Sequence, residues 1–301
     1  MIRRIKEEER DILIRECLDN YDDKEYINFF FKYFYDPIET YVNEKEGKIV
    51  SFMILIPLVL NIANERYKVS FITAVTTIKE ERNKGYMKEL MNEILDMTKH
   101  RELFTLIETS INGLYDSFNF EPLFYRKEYY LNVDEIEVVS KGIIKEEIDT
   151  LEYYKLYAKF ASHFDIYIRK ELKYCALYLK ELALTGGKII INKKQDNVTG
   201  FISFFEKDDL ITIDECIYLD TDSLKTLLSA LRFYGRKVIL TFSENEKVER
   251  YLPYLNKYAF KKDIYLRINN HELLSELYKK DIKTLKDLDI RNKTAFMRGR
   301  V

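Results

Sequence analysis

Apolar positions along the first 130 residues change period several times, and each change marks an element. Glu7–Leu18 and Glu25–Phe34 carry apolar residues at helical spacing, the second with a dense aromatic face of Tyr26, Phe29, Phe30, Tyr33 and Phe34. Glu39–Asn43 and Lys48–Leu60 flank the turn dipeptide Glu46-Gly47 and predict a hairpin. Arg66–Thr77 predicts a third strand. Arg82–Lys99 predicts a helix, with Met87, Leu90, Met91, Ile94 and Leu95 on one side and Lys88, Glu89, Asn92, Glu93, Asp96 and Lys99 largely opposite. A short strand (Leu103–Glu108), a short helix (Gly113–Phe118) and a strand (Phe124–Val133) complete the run. Strands followed by helix and strand imply an α/β chain of the α+β kind, a mixed sheet with helices packed on it.

The order then recurs. Asp149–Phe164 and Tyr167–Leu184 read as two helices; Gly187–Asn192, Val198–Phe205 and Leu210–Tyr218 as strands; Asp222–Tyr234 as a helix; Lys237–Phe242 as a strand; Val248–Lys257 as a helix; and Phe260–Ile268 as a strand. Both halves follow one plan, so a duplicated domain is expected: residues 1–133, a polar connector at 134–145, residues 146–268, and a C-terminal helix and polar tail at 269–301.

Composition removes several function classes. Basic and acidic residues number 49 and 51, a net charge of −2, which lacks the basic footprint of a nucleic-acid binder, so no nucleic-acid partner is expected. The longest apolar run, Ile49–Leu60, is broken by Ser51 and Pro57 and is shorter than the roughly 20 residues of a membrane span. The N-terminus, Met1-Ile2-Arg3-Arg4-Ile5-Lys6-Glu7-Glu8, turns acidic without the apolar stretch of a signal peptide. Cys17, Cys175 and Cys216 form no CxxC or CxxH pair, and His100, His163 and His271 are equally scattered, so no metal site is expected. These features predict a cytoplasmic protein with no membrane association, and they leave a homo-oligomer open.

The sharpest local chemistry lies in Val75-Thr76-Thr77-Ile78-Lys79-Glu80-Glu81-Arg82-Asn83-Lys84-Gly85-Tyr86-Met87, which joins a β-branched strand to an amphipathic helix. First-turn N–H groups of a helix lack intrahelical partners and, with the positive end of the dipole, bind phosphate oxygens. Gly85 admits close backbone approach, and Arg82 and Lys84 add positive charge. Short Arg-x-x-Gly strings also recur by chance, so the strand and helix on either side carry much of the weight. In that context the string resembles the acetyl-CoA pyrophosphate loop, Arg-x-x-Gly-x-(Gly/Ala), of the GCN5-related N-acetyltransferases (GNAT). Met87 stands where that family has Gly or Ala, a pattern similar to the enhanced-intracellular-survival (Eis-like) branch. The resemblance implies tandem GNAT folds, the first binding acetyl-CoA as co-substrate through Val75, Thr77, Arg82, Asn83, Lys84, Gly85, Tyr86 and Met87. It implies a degenerate second copy without a cofactor, which helps to wall the acceptor cleft.

Ser110-Ile111-Asn112-Gly113-Leu114-Tyr115-Asp116-Ser117-Phe118-Asn119-Phe120 resembles the family's Ser-x-x-Gly-(Ile/Leu)-Tyr-x-x-Phe-Gly-(Tyr/Phe) stretch. By that resemblance Tyr115 is the general acid that protonates the departing thiolate, and Ser110 helps to position pantetheine or the tyrosine. Taken alone, Tyr115 is one of 24 tyrosines. Eis-like enzymes usually add a sterol-carrier-like third domain whose terminal carboxylate is the general base. Residues 269–301 are too few for that domain, so the resemblance implies that the Val301 carboxylate serves directly, against the alternative of a frayed terminus.

Acetyl transfer to an amine needs a neutral nucleophile, and deprotonating a lysine-like ammonium at pH 7 costs about 4–5 kcal/mol. Asp22, Asp23, Asp36 and Glu108 are the carboxylates considered for an acidic acceptor pocket, each also readable as a solvated surface group. The expected function is therefore transfer of acetyl from acetyl-CoA to a primary amine, on an aminoglycoside-like small molecule or a peptide lysine. The alternatives are an acyl-CoA-binding sensor or interaction module that has lost catalysis and, less favoured by net charge, an aminoacyl-tRNA-dependent peptidyl transferase.

Overall fold

A computed structural model describes residues 1–62, 65–111, 113–139, 143–288 and 295–296. In chain order the elements are β1 (Ile2–Arg4), α1 (Arg10–Asn20), α2 (Lys24–Tyr33), β2 (Thr40–Lys45), β3 (Lys48–Ile62), β4 (Glu65–Thr77), α3 (Tyr86–Lys99), β5 (Phe104–Glu108), β6 (Glu121–Asn132), β7 (Ile143–Lys145), α4 (Thr150–Ala161), β8 (Ile166–Ile168), α5 (Leu172–Leu184), β9 (Lys188–Lys194), β10 (Asn197–Lys207), β11 (Leu210–Tyr218), α6 (Thr221–Ala230), β12 (Lys237–Ser243), β13 (Ala259–Ile268), α7 (His271–Tyr278) and β14 (Ala295–Phe296).

The chain divides into two compact units, Met1–Leu123 with Asp263–Asn292, and Phe124–Lys262 with Lys293–Val301. This division cuts across the sequence halves. Most of β6, expected to close the first half, belongs to the second unit, where Arg126–Asn132 pair antiparallel with Ser243–Lys237 of β12. The end of β13 belongs to the first unit, where Ile264–Ile268 pair antiparallel with Glu108–Phe104 of β5.

In the first unit β1, β2, β3, β4 and β5 lie side by side, antiparallel except for the parallel β4–β5 pair. Glu46 and Gly47 both take positive φ (52° and 76°), the geometry whose twist suits a tight hairpin, so the β2–β3 turn falls where the sequence put it. Most of β3 from Ile49 to Ile56 is buried without the alternation of a half-exposed strand, as befits a strand covered on both faces. α3 turns Leu90, Met91, Ile94 and Leu95 inward onto this sheet, each burial stabilising by about 1.5–3 kcal/mol.

The second unit repeats the plan. Its sheet runs β6, β12, β11, β10, β9 and β7, with β11–β12 the parallel pair. One core joins α6 to β6 and β10–β12, and another joins α4 and α5 to the same sheet through Ile191, Phe201 and Ile217.

Several expectations are corrected. β7 lies inside the segment read as a connector. The helix expected from Tyr167 begins only at Leu172, because Ile166–Ile168 are β-branched and aromatic and form β8, paired in parallel with β14 from the tail. The helix expected at Val248–Lys257 is reduced to a single 3₁₀ turn at Val248–Arg250, since Pro253 lacks the N–H and clashes with the preceding turn. β1 had no counterpart in the sequence reading.

Candidate functional site in the first unit

β3 and β4 pair at Ser51–Thr77 and Phe52–Thr76, and again from Ile54–Thr73 onward. Ala74 and Val75 therefore oppose Met53 alone, which makes a bulge, with Ala74 held at φ 51°. The parallel β4–β5 ladder runs from Val69–Phe104 to Ile72–Ile107 and ends beside the bulge. A bulge bends its strand, and here β4 continues to Thr77 with no ladder partner on β5 among the described residues. Past Ile72 the side of β4 turned away from β3 thus has no strand partner among the described residues.

A loop leads from that edge to α3. Ile78 N–H donates to Val50 O (3.0 Å), Lys79–Glu81 make one 3₁₀ turn, and Asn83 and Gly85 both adopt positive φ (64° and 83°). Those two left-handed residues are why the helix begins at Tyr86 and not at Arg82. Gly85 is the N-cap and offers no side-chain acceptor, so the first-turn amides of α3 stay uncapped. The Tyr86 carbonyl accepts from Asn43 Nδ2 (3.3 Å) and Ser51 Oγ (3.2 Å), which anchors the helix start to β2 and β3. Arg82 Nε donates to Thr77 O (3.3 Å) and its Nη2 donates to Asn20 Oδ1, placing the guanidinium over the strand end. Lys84 is exposed and pairs with Glu81 at 2.8 Å. Met87 turns inward and packs on the core, so its bulk is spent there.

Tyr115, Val75 and Met87 belong to one apolar cluster, which brings the strand bulge, the helix start and the candidate acid together. Tyr115 is 7% exposed, and desolvation pushes its phenol up to about 12. Its hydroxyl has no hydrogen-bond partner among the described residues, although Phe118 and Phe120 flank the ring. Asn119, standing where the resembled stretch has Gly, takes φ 60° and ends the short 3₁₀ turn at Asp116–Phe118. Ser110 is exposed in the turn beyond β5. Asn112 and Val301 lie outside the described residues.

A cavity of about 350 Å³ opens beside the bulge, lined by Tyr21, Asp22, Tyr26, Phe30, Thr73 and Ala74 among others. The Tyr21 hydroxyl sits 3.5 Å from Thr76 Oγ1. Of the acidic candidates, Asp22 reaches the cavity with a carboxylate that has no partner among the described residues, and Asp23 lines it while capping α2 through Tyr26 N–H (3.0 Å). Asp36 caps the turn before β2 by accepting from Ile38 N–H, and Glu108 sits in the β5–β13 ladder. Of the aromatic face, Phe29 goes into the core while Phe30 borders the cavity. Neither the bulge nor the Tyr21 contact had a signal in the sequence, because a single alanine, Ala74, in the otherwise β-branched and aromatic run Phe71–Thr77 does not distinguish a bulge from a regular strand.

The second unit keeps the bulge and lacks the cradle. β10 and β11 pair at Ser203–Glu215 and then Phe204–Ile213, leaving Asp214 as the extra residue. Only Leu219 and Asp220 separate β11 from α6, and the Asp220 carboxylate caps the helix by accepting from Ser223 N–H (2.8 Å). A carboxylate thus occupies the end of the helix where phosphate would have to sit.

Residues 1–123 match the acetyltransferase (GNAT) domain family. Over most of its length the chain has the same fold as solved GNAT N-acyltransferases, Eis among them. A protein of unknown function from Enterococcus faecalis V583, described as a probable N-acyltransferase, aligns at a TM-score of 0.76 and 16% identity over 89% of this chain and 72% of its own. A GCN5-related N-acetyltransferase from Anabaena variabilis ATCC 29413 aligns at 0.73 and 17% over 90% and 73%. Eis1 from Mycobacterium abscessus aligns at 0.68 and 11% over 91% and 75%. No curated protein matches the sequence. No helix among the described residues is long and apolar enough to cross a membrane.

Proposed function

We propose that the protein is an N-acyltransferase that moves an acetyl group from acetyl-CoA to a primary amine, with the chemistry carried by the first unit. The observation that supports this most is the combination of the Ala74 bulge, the free edge of β4 and the uncapped start of α3 within one unit. The β4 edge from Val75 to Thr77 would hold the pantetheine arm and polarise the thioester carbonyl through a backbone N–H. Arg82, Asn83, Lys84, Gly85, Tyr86 and Met87 would form the pyrophosphate cradle, with Ser110 bordering the reacting end. Tyr115 would protonate the leaving thiolate, a role suited to a phenol that desolvation keeps protonated far above neutral pH. The amine would approach through the cavity beside Ala74, where the Asp22 carboxylate favours a cation. The base would be a carboxylate working on the amine directly or through water, with Glu108 the first internal candidate to test.

Acetyl-CoA titration by thermal shift, followed by a panel of amines including aminoglycosides and lysine peptides, tests the reading. Ligand at 100 times Kd stabilises by about 2.7 kcal/mol. Binding with turnover supports it, binding without turnover on any amine turns it into an acyl-CoA sensor, and no binding removes both.

A further inference from the structure

A dense group of buried ionisable side chains lies in the second unit and shares no residue with the site described above. Lys170, on the connection between α4 and α5, donates to Glu215 Oε1 (3.0 Å) and to Tyr153 Oη (3.2 Å). Glu215 is fully buried and the Lys170 side chain is 10% exposed. The ammonium also lies 4.4 Å from the ring centroid of Tyr178, 4.9 Å from that of Tyr157 and 5.9 Å from that of Tyr153. Tyr153 Oη donates to Glu215 Oε2 (2.5 Å), and Tyr178 Oη donates to Asp214 Oδ2 (2.6 Å) while meeting Ser203 Oγ at 2.6 Å. Ser203 Oγ accepts from Glu215 N–H (3.1 Å).

The placement of these groups is systematic. Asp214 and Glu215 form the β11 bulge, which matches Ala74 and Val75 of β4 in the first unit. Tyr153 and Tyr157 stand on α4 and Tyr178 on α5, the helix pair that matches α1 and α2. Lys170 comes from the connection that matches Tyr21–Asp23. Where the first unit has a cavity, the second has aromatic faces, two carboxylates and an alkylammonium supplied by the chain itself. Aromatic faces around a cation and a paired carboxylate are an ammonium-recognition arrangement. A buried ion pair gives little net stability over an apolar filling, so stability alone is a weak reason for it.

We propose that the second unit retains a binding site for a primary alkylammonium at its strand bulge, and that Lys170 is its resident ligand. The site takes no free amine while Lys170 fills it. The assignment stands whether or not the first unit transfers acyl groups.

The test opens the site. Lys170→Ala is melted with n-butylammonium chloride, n-butanol or sodium chloride at equal concentrations. Butylammonium raises the melting temperature of Lys170→Ala dose-dependently by about 2–4 °C or more, leaves wild type unmoved, and butanol gives less than half that shift. If Lys170→Ala folds only on refolding with ligand, the refolding yield is compared across the same three additives, with selective rescue by butylammonium expected. Lys170→Met, which keeps the alkyl neck without the charge, melts below wild type because Glu215 is left buried without its cation. Equal effects of butanol and butylammonium, no effect of either, or a Lys170→Met variant as stable as wild type would each overturn the proposal.

Discussion

Replacing Tyr115 with phenylalanine separates structure from chemistry at one atom. The ring stays between Phe118 and Phe120, and only the hydroxyl leaves. That hydroxyl has no hydrogen-bond partner among the described residues, so at neutral pH its removal changes stability by no more than about 1 kcal/mol, the net worth of an ordinary hydrogen bond. Turnover, by contrast, falls by about 10²–10⁴, or about 3–5 kcal/mol of barrier, if the phenol delivers a proton to the thiolate. Acetyl-CoA affinity is unchanged. A pH series adds an independent check. Desolvation raises the folded-state phenol to about 12, against about 10 in the unfolded chain. The folded state therefore holds its proton more tightly, and this contribution is full below about pH 10 and lost as pH rises through about 12. That difference corresponds to about 2–3 kcal/mol. Urea denaturation of wild type and Tyr115→Phe, subtracted at each pH, isolates the residue from the other tyrosines, and the difference should turn in favour of phenylalanine between about pH 10 and 12. An unchanged kcat would return Tyr115 to a packing role. A neutral-pH loss of several kcal/mol would contradict the unpartnered hydroxyl on which the reasoning stands.

Gly85→Asp should abolish acetyl-CoA binding in a thermal-shift titration, since it adds a negative charge at the helix start; wild-type affinity would place the phosphate site elsewhere. Gly85→Ala should cost about 1–2 kcal/mol by urea melt through the left-handed φ of 83° alone, because a Cβ there meets nothing within 4 Å. Arg82→Ala should weaken acetyl-CoA modestly, by about tenfold, the scale of one exposed charge contact, and an unchanged Kd would leave the guanidinium as a tie between Thr77 and Asn20. Glu108→Gln should lower kcat by about 10²–10⁴ while leaving acetyl-CoA binding intact if Glu108 is the general base; normal turnover would remove it from that role.

The sequence carried the helices best where their apolar stripe was regular. α3 buries Leu90, Met91, Ile94 and Leu95 as the 3.6-residue period requires, and the Glu46-Gly47 turn sits where its two positive φ values are needed. The phosphate-cradle candidate was legible because Arg82, Lys84 and Gly85 stand between a β-branched strand and that stripe, although the helix was expected from Arg82 and the left-handed Asn83 and Gly85 delay it to Tyr86. The bulge was not legible. Extended backbone and a bulged residue draw on the same side chains, and Ala74 reaches φ 51° inside a run that reads as uninterrupted strand. Strand partners were equally hidden: nothing local in Glu121–Asn132 or Ala259–Ile268 says which half each will complete, because pairing is decided by register over long separations and not by propensity.

The two units together explain how one plan yields an open site and a closed one. Both keep the bulge and both end the parallel ladder beside it, at Ile72–Ile107 in the first and Thr212–Ile239 in the second. The backbone opening therefore comes from topology and is common to both. What differs is the chemistry of a few positions. Small and apolar Ala74 and Val75 leave space at the first bulge, while Asp214 and Glu215 fill the second with charge that Lys170 neutralises. A loop of left-handed residues frees the start of α3, while Asp220 caps the start of α6 with its own carboxylate. The two differences lie at separate places, one at the strand bulge and one at the helix start. Because the bulge carboxylates need their cation and the cap needs its acid, building a cradle there would require changing both ends at once, and the segment from Tyr218 to Leu224, which has no Arg-x-x-Gly string, marks one of those ends in the sequence while the strand opening itself survives.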